Sequence, residues 1–395
     1  MATIVFAMLP EAGHLNPTLK IAKALKSRGH QVKYVCTPNL KDLVLSNGLD
    51  FIPAFEKLYQ DKDSPLYPFI GLASGSIEQA VKALREREGN IQPVLDIVLR
   101  ESRELFTKIR PDLLVTDSYV AYVAAVAKMM GIQSLLLNTN LFDPWEDIKK
   151  DAAAMGIAEI VLCPREFDFP RPDLNRHSHY VEASIDLERA EIEFPWHLVS
   201  RDKPLVFCSL GSQSYLYERG KYLMDTVISA LAVKPHMQLV LATGQMFGPV
   251  DFQPIPPNVL LLKAAPQLGV LKRASIMITH GGLNSIKEAI FFGVPMIVFP
   301  FVHDQHSNAA RVVYHGLGLD ANAESITVEQ MGALIDRVVG DGAFRTRMDL
   351  MAARFRELEE RGQAVRFIEA VLSNQQDRPA QVDGTRGGVA LKPRL

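Results

Sequence analysis

Short apolar runs alternate with amphipathic stretches along almost the whole chain. Residues 3–9 form an apolar run that reads as a strand buried on both faces. Residues 16–28 carry Leu19, Ile21, Ala22, Ala24 and Leu25 at helical spacing, and Gly29 stands where a left-handed cap ends a helix. Residues 31–36 read as the next strand, so the chain opens with a βαβ unit. The pattern recurs at 113–116 (strand), 121–130 (helix, stopped by Gly131) and 134–137 (strand).

The layout starts afresh after about residue 200. Residues 205–209, 238–242, 259–262, 276–278 and 296–299 read as strands, with helices at 222–231 and 285–292. Residues 163–203 are rich in Pro, His and charge and poor in periodicity, and their later part reads as a linker. Residues 327–373 are strongly helical, and 374–395 read as a loose polar tail. The expected fold class is α/β, with two Rossmann-like domains facing across a cleft. The boundaries are 1–190, a linker at 191–203, 204–373 and the tail at 374–395, and the last helix is a candidate to pack back on the first domain.

Composition narrows the function classes. The 395 residues are 48% hydrophobic and 22% charged, which suits packed domains and excludes wholesale disorder. With 43 Lys and Arg against 45 Asp and Glu, nothing draws the chain generally to nucleic acid or an anionic membrane. Cys36, Cys163 and Cys208 are too far apart for a C-x-x-C motif and suit reduced thiols. No 18-residue apolar run exists, and the N-terminus reads as a strand rather than a signal peptide. The expectation is a cytoplasmic protein with no transmembrane segment and an oligomeric state left open.

Several signatures are missing: G-x-G-x-x-G after the first strand, Walker A, H-E-x-x-H and G-x-S-x-G. Asp61-Lys62-Asp63 matches a metal-holding D-x-D but reads as a solvated loop.

The first informative motif is Gly13-His14-Leu15-Asn16-Pro17, directly after the first strand, at the edge where α/β proteins place ligands. Asn16 suits a helix cap and Pro17 a first turn, so His14 is expected just ahead of a helix N-terminus, whose dipole favours a neutral ring. A neutral imidazole can act as a general base. Asp117 ends the apolar run 113–116 and can accept the other ring N–H, fixing the tautomer. The alternative is that Asp117 caps the helix after it.

The second motif follows the strand at 276–278. In His280-Gly281-Gly282-Leu283-Asn284-Ser285 the glycines allow close approach of backbone to a ligand, and the helix start favours a phosphate. Ser285 adds a hydroxyl and His280 a ring N–H, while Glu288, on the same helix face, can reach a ribose hydroxyl. Gly211-Ser212 makes a small-residue turn beside the same phosphates. Asp304-Gln305 pairs a carboxylate with an amide, which suits sugar hydroxyls.

Together these residues resemble the family 1 glycosyltransferases, the nucleotide-sugar-dependent enzymes that include macrolide and plant secondary-metabolite transferases. The match is the His-x-Gly-x-Asn-Ser core at His280–Ser285, Glu288 eight positions after the His, and Asp304 and Gln305 24 and 25 positions after it. Ala264-Ala265-Pro266-Gln267 is similar to the family's Trp-Ala-Pro-Gln entry, and the layout agrees over roughly residues 1–372. The resemblance implies the GT-B fold and metal-independent, inverting transfer, with the UDP- or TDP-sugar as co-substrate and no further cofactor. By position it implies His14 as base with Asp117 as partner. His280, Gly282, Asn284, Ser285 and Ser212 then lie at the diphosphate, Glu288 at the ribose, Gln267 at the nucleobase, and Asp304 and Gln305 at the sugar. Ala264 and Leu283 depart from the plant pattern, where both positions are Trp; Ala264 leaves the base open between uracil and thymine. Phe55, Tyr59, Tyr67, Phe69, Phe142 and Trp145 sit in irregular segments and suit a hydrophobic small-molecule acceptor, with ordinary core packing as the alternative. Two other functions fit the same donor site: a nucleotide-sugar epimerase and a non-catalytic nucleotide-sugar-binding protein. The Gly13–Pro17 loop argues against both.

Overall fold

The computed structural model describes residues 1–56, 92–141, 156–170, 178–211, 214, 217–244, 246–302 and 304–376. The first half contains β1 (Thr3–Ala7), α1 (Ala12–Ser27), β2 (Gln31–Cys36), α2 (Lys41–Ser46), β3 (Asp50–Pro53), α3 (Gln92–Ile109), β4 (Leu113–Asp117), α4 (Ala121–Met129), β5 (Gln133–Asn138), β6 (Ala158–Val161) and β7 (Ser178–Tyr180). Its strands form a parallel seven-stranded sheet in the order β3-β2-β1-β4-β5-β6-β7. The second half contains β8 (Leu205–Ser209), α5 (Gly220–Ala232), β9 (Gln238–Ala242), β10 (Val259–Leu262), α6 (Gln267–Leu271), β11 (Ile276–Thr279), α7 (Leu283–Phe292), β12 (Met296–Val298), α8 (Gln305–Tyr314) and β13 (Gly318–Asp320). Its parallel sheet has six strands, β10-β9-β8-β11-β12-β13. The chain closes with α9 (Val328–Gly340), α10 (Gly342–Arg361) and α11 (Gln363–Gln376).

The apolar runs form central strands because both faces of each sheet are covered. In β1, Ile4 and Phe6 pack into one core with Leu15 and Leu19 of α1. Val5 and Ala7 point the other way, to Phe106 of α3 and Val123 and Val126 of α4. In β8, Val206 and Cys208 meet α5 and α9, whereas Leu205 and Phe207 share a core with residues of α7 and α10. Each such side chain taken out of water contributes about 1.5–3 kcal/mol. All three cysteines are free and buried.

The last helix returns to the first half. Ala364, Val365, Ile368 and Leu372 of α11 lie in the core that holds Ile4 and Phe6. The Glu182 carboxylate accepts from the backbone N–H groups of Gln363 and Ala364 at the helix start.

Strands β3, β6, β7 and β13 were not expected. β6 carries Glu159, which breaks its apolar pattern but is buried with the Asn138 amide and the Ser178 hydroxyl donating to it. β3 and β7 are edge strands, and β13 is three residues long with a glycine and an aspartate, too short for a period to register. Helix α1 begins at Ala12, earlier than the expected residue 16, and Asn16 and Pro17 lie inside it. Residues 374–376, expected in the tail, continue α11.

The two halves are joined by a buried ion pair. Arg311 of α8 is fully buried and donates to Asp168 through Nε at 2.9 Å and Nη2 at 2.8 Å, and also to the Leu141 carbonyl at 3.2 Å. Asp168 also accepts from the Tyr180 hydroxyl at 2.6 Å. Asp168→Ala strands the Arg311 charge and should cost about 3–5 kcal/mol in denaturant unfolding. Arg345→Ala removes an exposed pair with Asp349 and should cost under about 0.5 kcal/mol in the same assay.

Candidate active site

In each sheet the winding reverses beside the first strand, between β1 and β4 and again between β8 and β11. Loops leaving those neighbouring strands open a crevice at the carboxyl edge. His14 follows β1 and Asp117 ends β4; Gly211 follows β8 and His280 follows β11. The two sequence motifs thus flank the reversal point of each sheet on opposite sides, the first after β1 and the second after β11, the counterpart of β4.

His14 sits in the first turn of α1, 9% exposed. Its Nδ1 lies 2.8 Å from Asp117 Oδ2 and 3.1 Å from the Thr139 hydroxyl. Asp117 also fills the role offered as its alternative, because Oδ1 accepts from the Tyr119 N–H at 2.9 Å. The expected neutral ring is corrected. Burial works against the charged ring, but the Asp117 carboxylate, with Glu11 and Asp304 adding to it, pushes the His14 pKa up to about 9. The helix dipole read from sequence is outweighed by carboxylates, of which Asp117 and Asp304 are brought in by the fold from distant segments and Glu11 stands in the same turn.

The second half is tuned the other way. The His280 ring lies between two glycines: a Cβ on Gly211 would stand 2.5 Å from its Cε1, and one on Gly282 would stand 2.5 Å from its Nε2. Gly211 also has φ +78°, a left-handed conformation. These glycines admit the imidazole edge-to-backbone. Burial pushes the His280 pKa down to about 4, opposed only by its bond to the Ser209 backbone. Gly282 caps α7, leaving the first N–H groups of that helix without helical partners.

Around α7 the expected residues interlock. Gln267 Nε2 donates to Glu288 Oε2 at 2.7 Å and to the Ser285 hydroxyl at 3.3 Å. Arg189 binds both Glu288 oxygens, at 2.5 and 3.1 Å. Asp304 Oδ2 accepts from Asn308 Nδ2 at 2.7 Å. Gln305 is 4% exposed; its oxygen accepts from Phe301 and Val302 N–H and its amide donates to the Tyr217 hydroxyl at 3.0 Å. Asn284 Nδ2 crosses between the halves to the Gly13 carbonyl at 2.7 Å.

Sequence reasoning missed Thr139, Arg189, Tyr217 and Asn308. Asn308 had a signal, since it stands four residues after Asp304 on a helix face. Arg189 had none, being one charge in a polar stretch. Ser212, Tyr59, Tyr67, Phe69, Phe142, Trp145 and the Asp61-Lys62-Asp63 run lie outside the described residues. Phe55 is described; it is half-buried, with its backbone N–H on Glu101. Among the described residues no group of three His, Cys, Asp or Glu is gathered to hold a metal, and no helix is long and apolar enough to cross a membrane.

A sequence model described as UDP-glucoronosyl and UDP-glucosyl transferase matches residues 146–374, more than half of the chain. The chain belongs to this family. It is a nucleotide-sugar-dependent glycosyltransferase. This transferase is 25% identical to the demethyllactenocin mycarosyltransferase of Streptomyces fradiae, over 94% of its own length and 87% of the relative's. Solved structures share its GT-B fold. The calicheamicin glycosyltransferase CalG4 superposes with a TM-score of 0.75 at 21% identity, covering 94% of this transferase and 98% of CalG4. The spinosyn rhamnosyltransferase complexed with thymidine diphosphate gives 0.72 at 19% identity, covering 93% and 100%.

In an NMR titration of the transferase, the His14 ring should stay charged up to about pH 9 and the His280 ring neutral down to about pH 4. Asp117→Asn removes the main opposing charge while burial remains, so the His14 midpoint should fall well below 9.

Proposed function

We propose that this transferase moves a sugar, with inversion and without a metal, from a UDP- or TDP-sugar to a hydroxyl of a hydrophobic natural-product-like acceptor. The observation that carries this reading is the His14–Asp117 pair at 2.8 Å, one residue from a backbone carbonyl bonded to the first turn of α7. A base beside the acceptor and a phosphate-binding helix end then lie in one crevice, which supplies proximity as well as activation.

The step is a single displacement. The acceptor oxygen bonds to the anomeric carbon as the bond from that carbon to the diphosphate oxygen breaks. The acceptor proton goes to His14 Nε2, and Asp117 stabilises the ring as it becomes charged. The departing diphosphate gathers negative charge at the N-terminus of α7, near Gly282, Asn284 and Ser285. The neutral His280 ring stands beside them, and in the tautomer that carries its proton toward the crevice its N–H donates to the diphosphate. Glu288 takes a ribose hydroxyl and Gln267 the nucleobase. Asp304 accepts from sugar hydroxyls, and Gln305 holds the loop that carries it, with one amide N–H left for the sugar.

The donor and acceptor classes rest on likeness. The family's description names UDP-sugars, and one solved neighbour is described with thymidine diphosphate. The relatives' names, a mycarosyltransferase and a calicheamicin glycosyltransferase, point to antibiotic-like acceptors. Nothing in those names favours an epimerase or a binding protein.

The test is nucleoside diphosphate release, with UDP- and TDP-glucose in parallel, against a panel of hydrophobic alcohols and phenols. Release should depend on acceptor, and His14→Ala should lower it at least ~100-fold while nucleotide affinity persists. Acceptor-dependent release that survives His14→Ala would remove His14 as the base. Tight nucleotide binding with no release from either donor would contradict the transferase reading for these substrates.

A further inference from the structure

Helix α1 has a proline inside it. In an unbroken helix the N–H of residue 17 would donate to the carbonyl of residue 13. Pro17 has no N–H, and a helical proline ring presses on the carbonyl four residues before it. The Gly13 carbonyl therefore lacks its helical donor, and Asn284 Nδ2 supplies one from the other half at 2.7 Å. The Gly13–His14 peptide is planar, so its carbonyl and N–H point in opposite directions. The N–H end is also held, donating to the Glu11 carbonyl at 3.0 Å. The peptide plane that leads into His14 is thus fixed at both ends, one of them by the donor-binding helix.

We infer that Pro17 is a positioning residue: by withholding a backbone N–H it keeps the Gly13 carbonyl on Asn284, and that bond sets His14 in register with the donor helix. The inference rests on the reading of His14 as the base. Other links hold the halves together elsewhere. Lys287 donates to the Leu162 carbonyl at 3.0 Å, Arg189 binds Glu288, and Arg311 binds Asp168. Losing the Gly13–Asn284 bond therefore loosens the register of the base without parting the halves.

Pro17→Ala tests this, because the new N–H competes with Asn284 for the Gly13 carbonyl while α1 gains a hydrogen bond. The expected result is a melting temperature no lower than wild type, kcat reduced about tenfold and donor KM within about twofold. The midpoint of the pH–rate profile should not move, since His14 keeps Asp117. In an Asn284→Ala background, which has already lost the bond, Pro17→Ala should not reduce kcat further. Unchanged kcat in Pro17→Ala, an equal reduction in both backgrounds, or a markedly lower melting temperature would overturn the inference. Failure of the base reading has a different signature: His14→Ala keeps its turnover, while the Pro17 effect still disappears with Asn284.

Discussion

In a parallel sheet all strands end at one edge, and where the winding reverses, loops from two neighbouring strands part and leave a crevice. This chain builds that geometry twice, beside β1 and β4 and beside β8 and β11. The chemistry follows from the constraint. A histidine after β1 meets a carboxylate ending β4 without any sequence proximity, 103 positions apart. A histidine after β11 lies against the glycine that follows β8. The first turns of α1 and α7 then meet through Asn284 and Gly13, so the two crevices form one site.

The two histidines show how one residue type is tuned in opposite directions within one site. His14 has carboxylates around it and is drawn to the charged form. His280 is buried, with the bond to the Ser209 backbone as the one opposing influence, and is held neutral. A ring that stabilises positive charge suits the group that accepts a proton from an alcohol. A neutral ring enclosed by Gly211 and Gly282 has one N–H to offer and suits a site where an anion gathers charge. The same carboxylate that orients His14 also makes its proton harder to shed: with a pKa of about 9, roughly one ring in a hundred is neutral at pH 7.

Much of the fold is legible in the sequence. Strands β2, β8 and β9 begin and end where their apolar runs do, because central parallel strands are apolar on both faces, and the edge strand β10 also keeps its expected bounds. β6 escaped because a buried Glu159 with its own partners looks, in sequence, like a solvated charge. At the site, residues within one motif were legible from spacing, as with His280, Asn284, Ser285 and Glu288. Of the partners from other segments, Asp117 was legible because it ends an apolar run, whereas Arg189, which reaches Glu288 across 99 positions, and Arg311, which reaches Asp168 across 143, were not. Pro17 was visible, but its consequence was not. Placed in a first turn it would be neutral; with α1 starting at Ala12 it frees a carbonyl that the other half uses.

In the proposed mechanism His14, coupled to Asp117, accepts the acceptor's proton. The most direct measurement is the pH dependence of acceptor kcat/KM for wild type and Asp117→Asn, which reports the base in the free enzyme. Because a raised pKa keeps the ring protonated to higher pH, the wild-type rate should climb with pH and level off only above about 9. In Asp117→Asn the limb should move well below pH 9, and the plateau should fall at least ~tenfold. A wild-type profile already flat near 6.5, or an Asp117→Asn profile with the limb unmoved, would contradict the claim.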